Sequence, residues 1–122
     1  MELQAGQTIV STPLATSVLL SGQLILDGGG ATVYGARLPT HHANVLSLIL
    51  TTTQDVTAQI RRYSAGDSMA QDSTGVAILA GATGVQVLRA SNGDWIGDSA
   101  AVLITNGSGF DATVSFQLIA RS

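Results

Sequence analysis

The sequence predicts an all-β protein: a single antiparallel β-sandwich, jelly-roll-like, of about eight or nine strands, with an immunoglobulin-like strand order as the alternative. Three observations predict it. Val, Ile and Thr are abundant, and their branched Cβ atoms suit a pleated surface better than a helix. Short runs alternate apolar and polar residues with a period of two, the spacing of a half-buried strand. Clusters of Gly, Asn, Asp and Ser separate those runs at turn-sized intervals. No long stretch carries a clean 3.6-residue period, so no substantial helix is expected.

Taken in order, Thr8–Ser11 reads as a short first strand ending before Pro13. Thr16–Leu26 is a long strand, or two broken near Ser21-Gly22. The glycines of Asp27-Gly28-Gly29-Gly30 turn the chain into a strand over Ala31–Arg37. Pro39-Thr40-His41-His42 is a loop leading into Val45–Thr51. The next strand, Val56–Tyr63, sets Val56, Ala58 and Ile60 against Thr57, Gln59 and Arg61. Ser64–Ala82 reads mostly as loop, with one helical turn at Ser68–Gln71 and a strand at Val76–Ala80. Gly84–Ala90 sets Val85 and Val87 against Gln86 and Leu88, and the Asn-Gly pair in Ser91-Asn92-Gly93-Asp94 ends it in a turn. Ala101–Thr105 and Thr113–Arg121 form the closing hairpin around Asn106-Gly107-Ser108-Gly109. In the last strand Val114, Phe116, Leu118 and Ala120 share one face. Ile119 interrupts the polar face, which marks it for an interface.

Composition narrows the function. A chain of 122 residues reads as one domain, 1–122, with 1–7 as a possible N-terminal arm. Lysine is absent and five arginines carry all the positive charge. That rules out a P-loop and a Schiff-base lysine, and leaves too little for a basic nucleic-acid face. There is no cysteine, hence no disulfide, zinc-thiolate or thiol chemistry. The N-terminus lacks the positive and apolar regions of a secretory signal. No apolar run approaches the ~20 residues of a membrane span, so no membrane partner is expected.

Chemistry-bearing constellations are sparse. The serines lack a Gly-x-Ser-x-Gly elbow, and only His41 and His42 offer a base. In an extended chain those neighbouring rings point to opposite sides and do not chelate one ion. Asp94 and Asp98 flank Trp95 beside the Asn-Gly turn, but their spacing matches no calcium loop. No catalytic residue, cofactor or metal is expected, and the protein is read as no enzyme. Asp94, Trp95 and Asp98 remain a possible ligand or interface contact, since sugar-binding sandwiches offer an aromatic platform beside acids. Trp95 also suits an interface, where Trp is enriched.

Charged residues make up 11% of the chain, and Gly, Ala, Ser and Thr nearly half. Such a surface is tolerable where other subunits bury it, because interface cores are depleted in charge. Homo-oligomerisation is therefore expected. The stretch Val102-Leu103-Ile104-Thr105-Asn106-Gly107-Ser108-Gly109-Phe110-Asp111-Ala112-Thr113-Val114-Ser115-Phe116-Gln117-Leu118 resembles the closing hairpin of small β-sandwich virion proteins of tailed bacteriophages, and the lysine-free, Ala/Gly/Thr-rich composition is similar too. The resemblance implies a capsid cement or decoration protein. Its partners would be the major capsid protein lattice and itself, as a trimer. It would be made in the host cytoplasm and placed on the capsid exterior. Met1, Glu2, Leu3 and Gln4 are then a possible capsid-contact arm. The alternative is a carbohydrate-binding or fibre-tip module working through Trp95.

Overall fold

A computed structural model describes residues 17–122. The expected strand at Thr8–Ser11 and the arm at 1–7 lie outside the described residues. Ten strands follow in order: β1 (Ser17–Leu26), β2 (Ala31–Val33), β3 (Leu38–Pro39), β4 (Val45–Thr52), β5 (Val56–Tyr63), β6 (Ala70–Asp72), β7 (Val76–Ile78), β8 (Thr83–Arg89), β9 (Ser99–Thr105) and β10 (Ala112–Arg121). Helical structure among the described residues is confined to two 3-10 turns, Ala65–Asp67 and Ala90–Asn92.

The strands form two antiparallel sheets. One has the order β1-β10-β4-β8, the other β2-β9-β5-β6, with β3 also paired to β9 and β7 to β5. Both β2 and β3 pair with β9, on the edge that β5 leaves free. Likewise β6 and β7 share one edge of β5. Ten strands thus occupy eight positions, four per sheet. Apart from the step from β5 to β6 and β7, each connection between positions crosses from one sheet to the other. That is the jelly-roll order.

Several expected elements differ in extent. Ala31–Arg37 is broken, because the chain leaves the sheet after Val33 and rejoins it at Leu38. Ser68–Gln71 is not a helical turn. The turn lies earlier, at Ala65–Asp67, and β6 starts at Ala70 to pair with Tyr63. The φ of 71° at Gly66 and 58° at Asp67 is what a tight reversal needs. The long strand is unbroken at Ser21-Gly22. Gly22 is needed for another reason: the Tyr34 ring lies where a Cβ would be, and packs edge-on against Phe116 with centroids 4.8 Å apart.

Period-two alternation builds the core. Leu46, Leu48 and Leu50 of β4 and Val114, Phe116 and Leu118 of β10 face Ala58 and Ile60 of β5 and Val102 and Ile104 of β9. Burying each large aliphatic side chain contributes on the order of 1.5–3 kcal/mol.

The register fixes two ends. Leu26 pairs with Ala112, Thr51 with Thr83, Val56 with Ile78 and Ala31 with Thr105. Loops 27–30, 53–55, 79–82 and 106–111 therefore gather at one end; loops 40–44, 64–69 and 90–98 gather at the other. The first end is pinned by Asn106, fully buried. Its Nδ2 donates to the carbonyls of Phe110 at 2.8 Å and of Leu26 and Asp27 at 3.3 Å. Its Oδ1 accepts from the Ser108 N–H at 3.0 Å and hydroxyl at 2.7 Å.

Removing that amide leaves one buried and several part-buried groups without their partner at once. Asn106→Ala is expected to destabilise the fold by about 2–4 kcal/mol in urea or thermal unfolding. A loss below about 0.5 kcal/mol would show that these bonds are not structural.

Candidate functional site

The segment holding Asp94, Trp95 and Asp98 crosses the second end, between β8 and β9. It is fixed by its backbone. Gly93 closes the 3-10 turn at φ 85°, donating to the Ala90 carbonyl at 3.0 Å. The Asp94 carboxylate accepts the Arg89 N–H at 2.8 Å. The Thr40 hydroxyl donates to the Gly97 carbonyl at 2.9 Å, and the Asp98 N–H to the Tyr63 carbonyl at 2.8 Å. Asp94 is thus committed to its turn, while Asp98 is exposed. Trp95 is 37% exposed and lines a groove with Met69, Ala70 and Gln71. The structure brings Trp95 to the apolar side chain of Met69 rather than to a pair of free acids.

Beneath this segment lies a residue whose role the sequence hides. Arg62 continues the inward row of Val56, Ala58 and Ile60 and is only 4% exposed. It donates from Nη1 to the Trp95 carbonyl at 2.6 Å and from Nε to the Gln71 carbonyl at 3.3 Å. Arg61 faces out and pairs with Asp72 through Nε at 2.7 Å and Nη2 at 3.0 Å; Arg62 faces in. Burial pushes the Arg62 guanidinium below its ordinary range. The Arg61 hydrogen bond holds the Asp72 carboxyl below the usual carboxylate range. Continued period-two counting from Val56 is the signal that places Arg62 inside.

His41 and His42 also sit at this end. Their rings are 4.2 Å apart, not on opposite sides. The extended geometry fails because Thr40–Ala43 is a turn, closed by the Ala43 N–H on the Thr40 carbonyl at 2.9 Å. Among the described residues, no three His, Cys, Asp or Glu side chains gather as a metal set. Nearby, Arg37 stacks on Tyr63 at 3.7 Å and pairs with Asp67 at 2.6 Å. Met1, Glu2, Leu3 and Gln4 lie outside the described residues.

The other candidate surface is the outer face of the four-stranded sheet, which can be read across by register. One row is Ser17, Arg121, Val45 and Arg89; the next is Leu19, Ile119, Ser47 and Val87. Then come Ser21, Gln117, Ile49 and Val85, followed by Gln23, Ser115, Thr51 and Thr83. None of these sixteen residues is acidic. Leu19 is 55% exposed and Val85 54%. Ile119, marked from sequence for an interface, lies between Leu19 and Ser47 in the apolar part. The Val85 and Val87 alternation was legible, but the valines face outward and Gln86 and Leu88 inward. Gln86 donates to the Thr74 carbonyl at 2.7 Å and accepts from Ser73 at 3.1 Å, so the amide ties one sheet to the other.

The fold and surfaces define a jelly-roll β-sandwich whose four-stranded sheet presents four outward rows free of acids. No protein-family model matches the chain, and no curated protein matches it. Among solved structures it is similar to the crystal structure of PirA, with a TM-score of 0.50 and 14% identity over 84% of this chain and 93% of that one. It is also similar to a chain of the disulfide-linked pili of Bacillus endospore appendages, with a TM-score of 0.45 and 12% identity over 95% and 98%. A third is a chain of infectious bursal disease virus, Gx strain, with a TM-score of 0.42 and 16% identity over 88% of this chain and 30% of that one. At these identities the likeness is one of fold, and the β-sandwich domain is what it establishes.

Arg62→Met keeps the apolar stem and removes both donors. Loss of a buried charge offsets part of the cost, but two carbonyls are left unpaired, so stability should fall by about 1–3 kcal/mol. Trp95, the one tryptophan in the sequence, should shift its emission to longer wavelength and quench faster with acrylamide. Unchanged fluorescence would show that Arg62 does not hold this segment.

Proposed function

We propose that the protein is a non-enzymatic structural subunit that works by docking, and specifically a capsid cement or decoration subunit of a tailed-phage head, acting as a trimer on the capsid exterior. The observation that carries this reading is the acid-free outer face of the four-stranded sheet. Its aliphatic side chains stand in register across four strands, and exposed apolar patches of this kind mark interaction surfaces. Ser, Thr and Gln surround them and can hydrogen-bond a partner without a charge to desolvate. The resemblance of the closing hairpin to phage virion sandwiches supplies the head lattice as partner.

The mechanism is linkage. A subunit that binds only the assembled, expanded lattice stabilises that state by its differential affinity. Three copies acting together multiply weak contacts into avidity. With apolar and hydrogen-bonded groups over most of the face, attachment should depend weakly on salt. A second reading, a carbohydrate-binding or fibre-tip module, is favoured by one observation: the half-exposed Trp95 ring over its groove.

The test mixes the protein with expanded heads that lack it and images them by cryo-EM. Density is expected at the lattice symmetry axes. Val85→Glu, at an exposed position, should weaken attachment about tenfold or more with the melting temperature nearly unchanged. Absence of lattice density, together with glycan-array binding lost in Trp95→Ala, would replace the cement reading with the second one.

A further inference from the structure

The two ends of the sandwich are sorted by charge. Loops 27–30, 53–55, 79–82 and 106–111 carry Asp27, Asp55 and Asp111 and no cation, a formal charge of −3. Among the described residues, the half toward the other end holds all five arginines, Arg37, Arg61, Arg62, Arg89 and Arg121, against four aspartates, Asp67, Asp72, Asp94 and Asp98, a formal side-chain charge of +1. Asp67 and Asp72 are taken up by Arg37 and Arg61, and Asp94 caps its own turn. Arg89 and Arg121 stand in one row across β8, β4 and β10.

Both ends also present large apolar side chains. At the acidic end Phe110 is 71% exposed and Leu79 63%. Together with Gln54 and Asp55 they line one groove. The loops that carry them are held firmly: the Asp55 carboxylate accepts the Ala80 N–H at 2.9 Å, and Asn106 fixes the Phe110 carbonyl. At the basic end Met69 and Trp95 line the groove described above.

We infer that copies of this chain dock head to tail, the acidic end of one on the basic end of the next. Phe110 and Leu79 bury against the Met69–Trp95 groove while Asp27, Asp55 and Asp111 face Arg89 and Arg121. Like ends do not pair: three aspartates would meet three aspartates, or the arginine row would meet its own copy, and like-charge juxtaposition opposes binding. Unlike ends attract and bury apolar surface together. Such a contact is heterologous, so it gives a ring where the rotation closes and an open series where it does not. It requires no capsid, and it is tested without one.

The experiment uses the full chain and two variants. Phe110→Ser/Asp111→Arg disables the acidic end; Arg89→Glu/Arg121→Glu disables the basic end. All four side chains are exposed, so melting temperature and far-UV circular dichroism should match the wild type. If either double variant fails to fold, Asp111→Arg and Arg121→Glu singly take their place. Light scattering after gel filtration should show wild-type association that weakens between about 50 and 500 mM salt. Each variant alone should associate at least about tenfold more weakly. Mixed, the two should form a 1:1 dimer and stop, because each keeps one good end. A wild type that stays monomeric up to about 1 mM overturns the inference. So does a variant that associates like the wild type, a mixture that grows past 1:1, or a mixture that forms no dimer while the wild type associates.

Discussion

One apolar layer between two sheets carries this molecule. Packed sheets lie about 10 Å apart, a gap that side chains from the two inner faces must fill. Here only five aromatic residues exist in the chain, so aliphatic side chains do the filling. Leu46, Leu48 and Leu50 meet Ile60, Val102 and Ile104, with Ala58, Ala100, Ala112 and Ala120 between them. Large and small residues interdigitate, and the strands keep their alternation to stay in that layer. A one-residue slip in any strand would turn its whole row outward. The outer face follows as a consequence. β4 reads VLSLILTT, so holding three leucines inside leaves Val45 and Ile49 outside, and holding Gln86 and Leu88 inside leaves Val85 and Val87 outside. The surface proposed for docking is the reverse side of the core.

The layer must also be closed where the strands stop, and there the buried polar groups do the work. Asn106 gathers three carbonyls at one end. Arg62 and Thr40 gather those of Gln71, Trp95 and Gly97 at the other. Along one side Ser73 and Gln86 join the sheets. Each of these groups satisfies backbone that would otherwise be buried unpaired, which costs more than an ordinary hydrogen bond contributes. The closures differ chemically, an amide at one end and a guanidinium at the other. The charges sort with them, so the sandwich has a direction.

Much of the fold was legible because it rests on a local rule. Period two placed Val114, Phe116, Leu118 and Ala120 inside β10, and turn chemistry placed the reversals at Asp27–Gly30 and Ser91–Asp94. What was not legible depends on contacts far apart in the chain. Ala31–Arg37 breaks at Gly35, where the Tyr34 ring turns onto Gly22 and Phe116, residues far away in the chain. The shift of the helical turn to Ala65–Asp67 comes from β6 pairing with β5. Arg62 was left unplaced because the alternation was followed only as far as Arg61, and arginine is seldom buried. The apolar outer face was half visible in Ile119 and in the Val85 and Val87 pair. Only the register across four strands joins Leu19, Ile119, Ile49 and Val85 into one surface. The candidate trio Asp94, Trp95 and Asp98 was legible as a segment, but not the bond from the Arg89 N–H to the Asp94 carboxylate that shapes it, because that bond depends on how the 3-10 turn closes.

The central claim is that the outer face of the four-stranded sheet is where this protein meets its assembly. Methyl cross-saturation NMR tests it most directly, with Ile, Leu and Val methyls labelled in a deuterated background and unlabelled expanded heads added. Contact through that face requires the methyls of Leu19, Val45, Ile49, Val85, Val87 and Ile119 to lose intensity, while those of Leu46, Leu48 and Val102 in the core keep theirs. Attenuation confined to Ile96 and other methyls around Trp95, with the sheet face untouched, would contradict it.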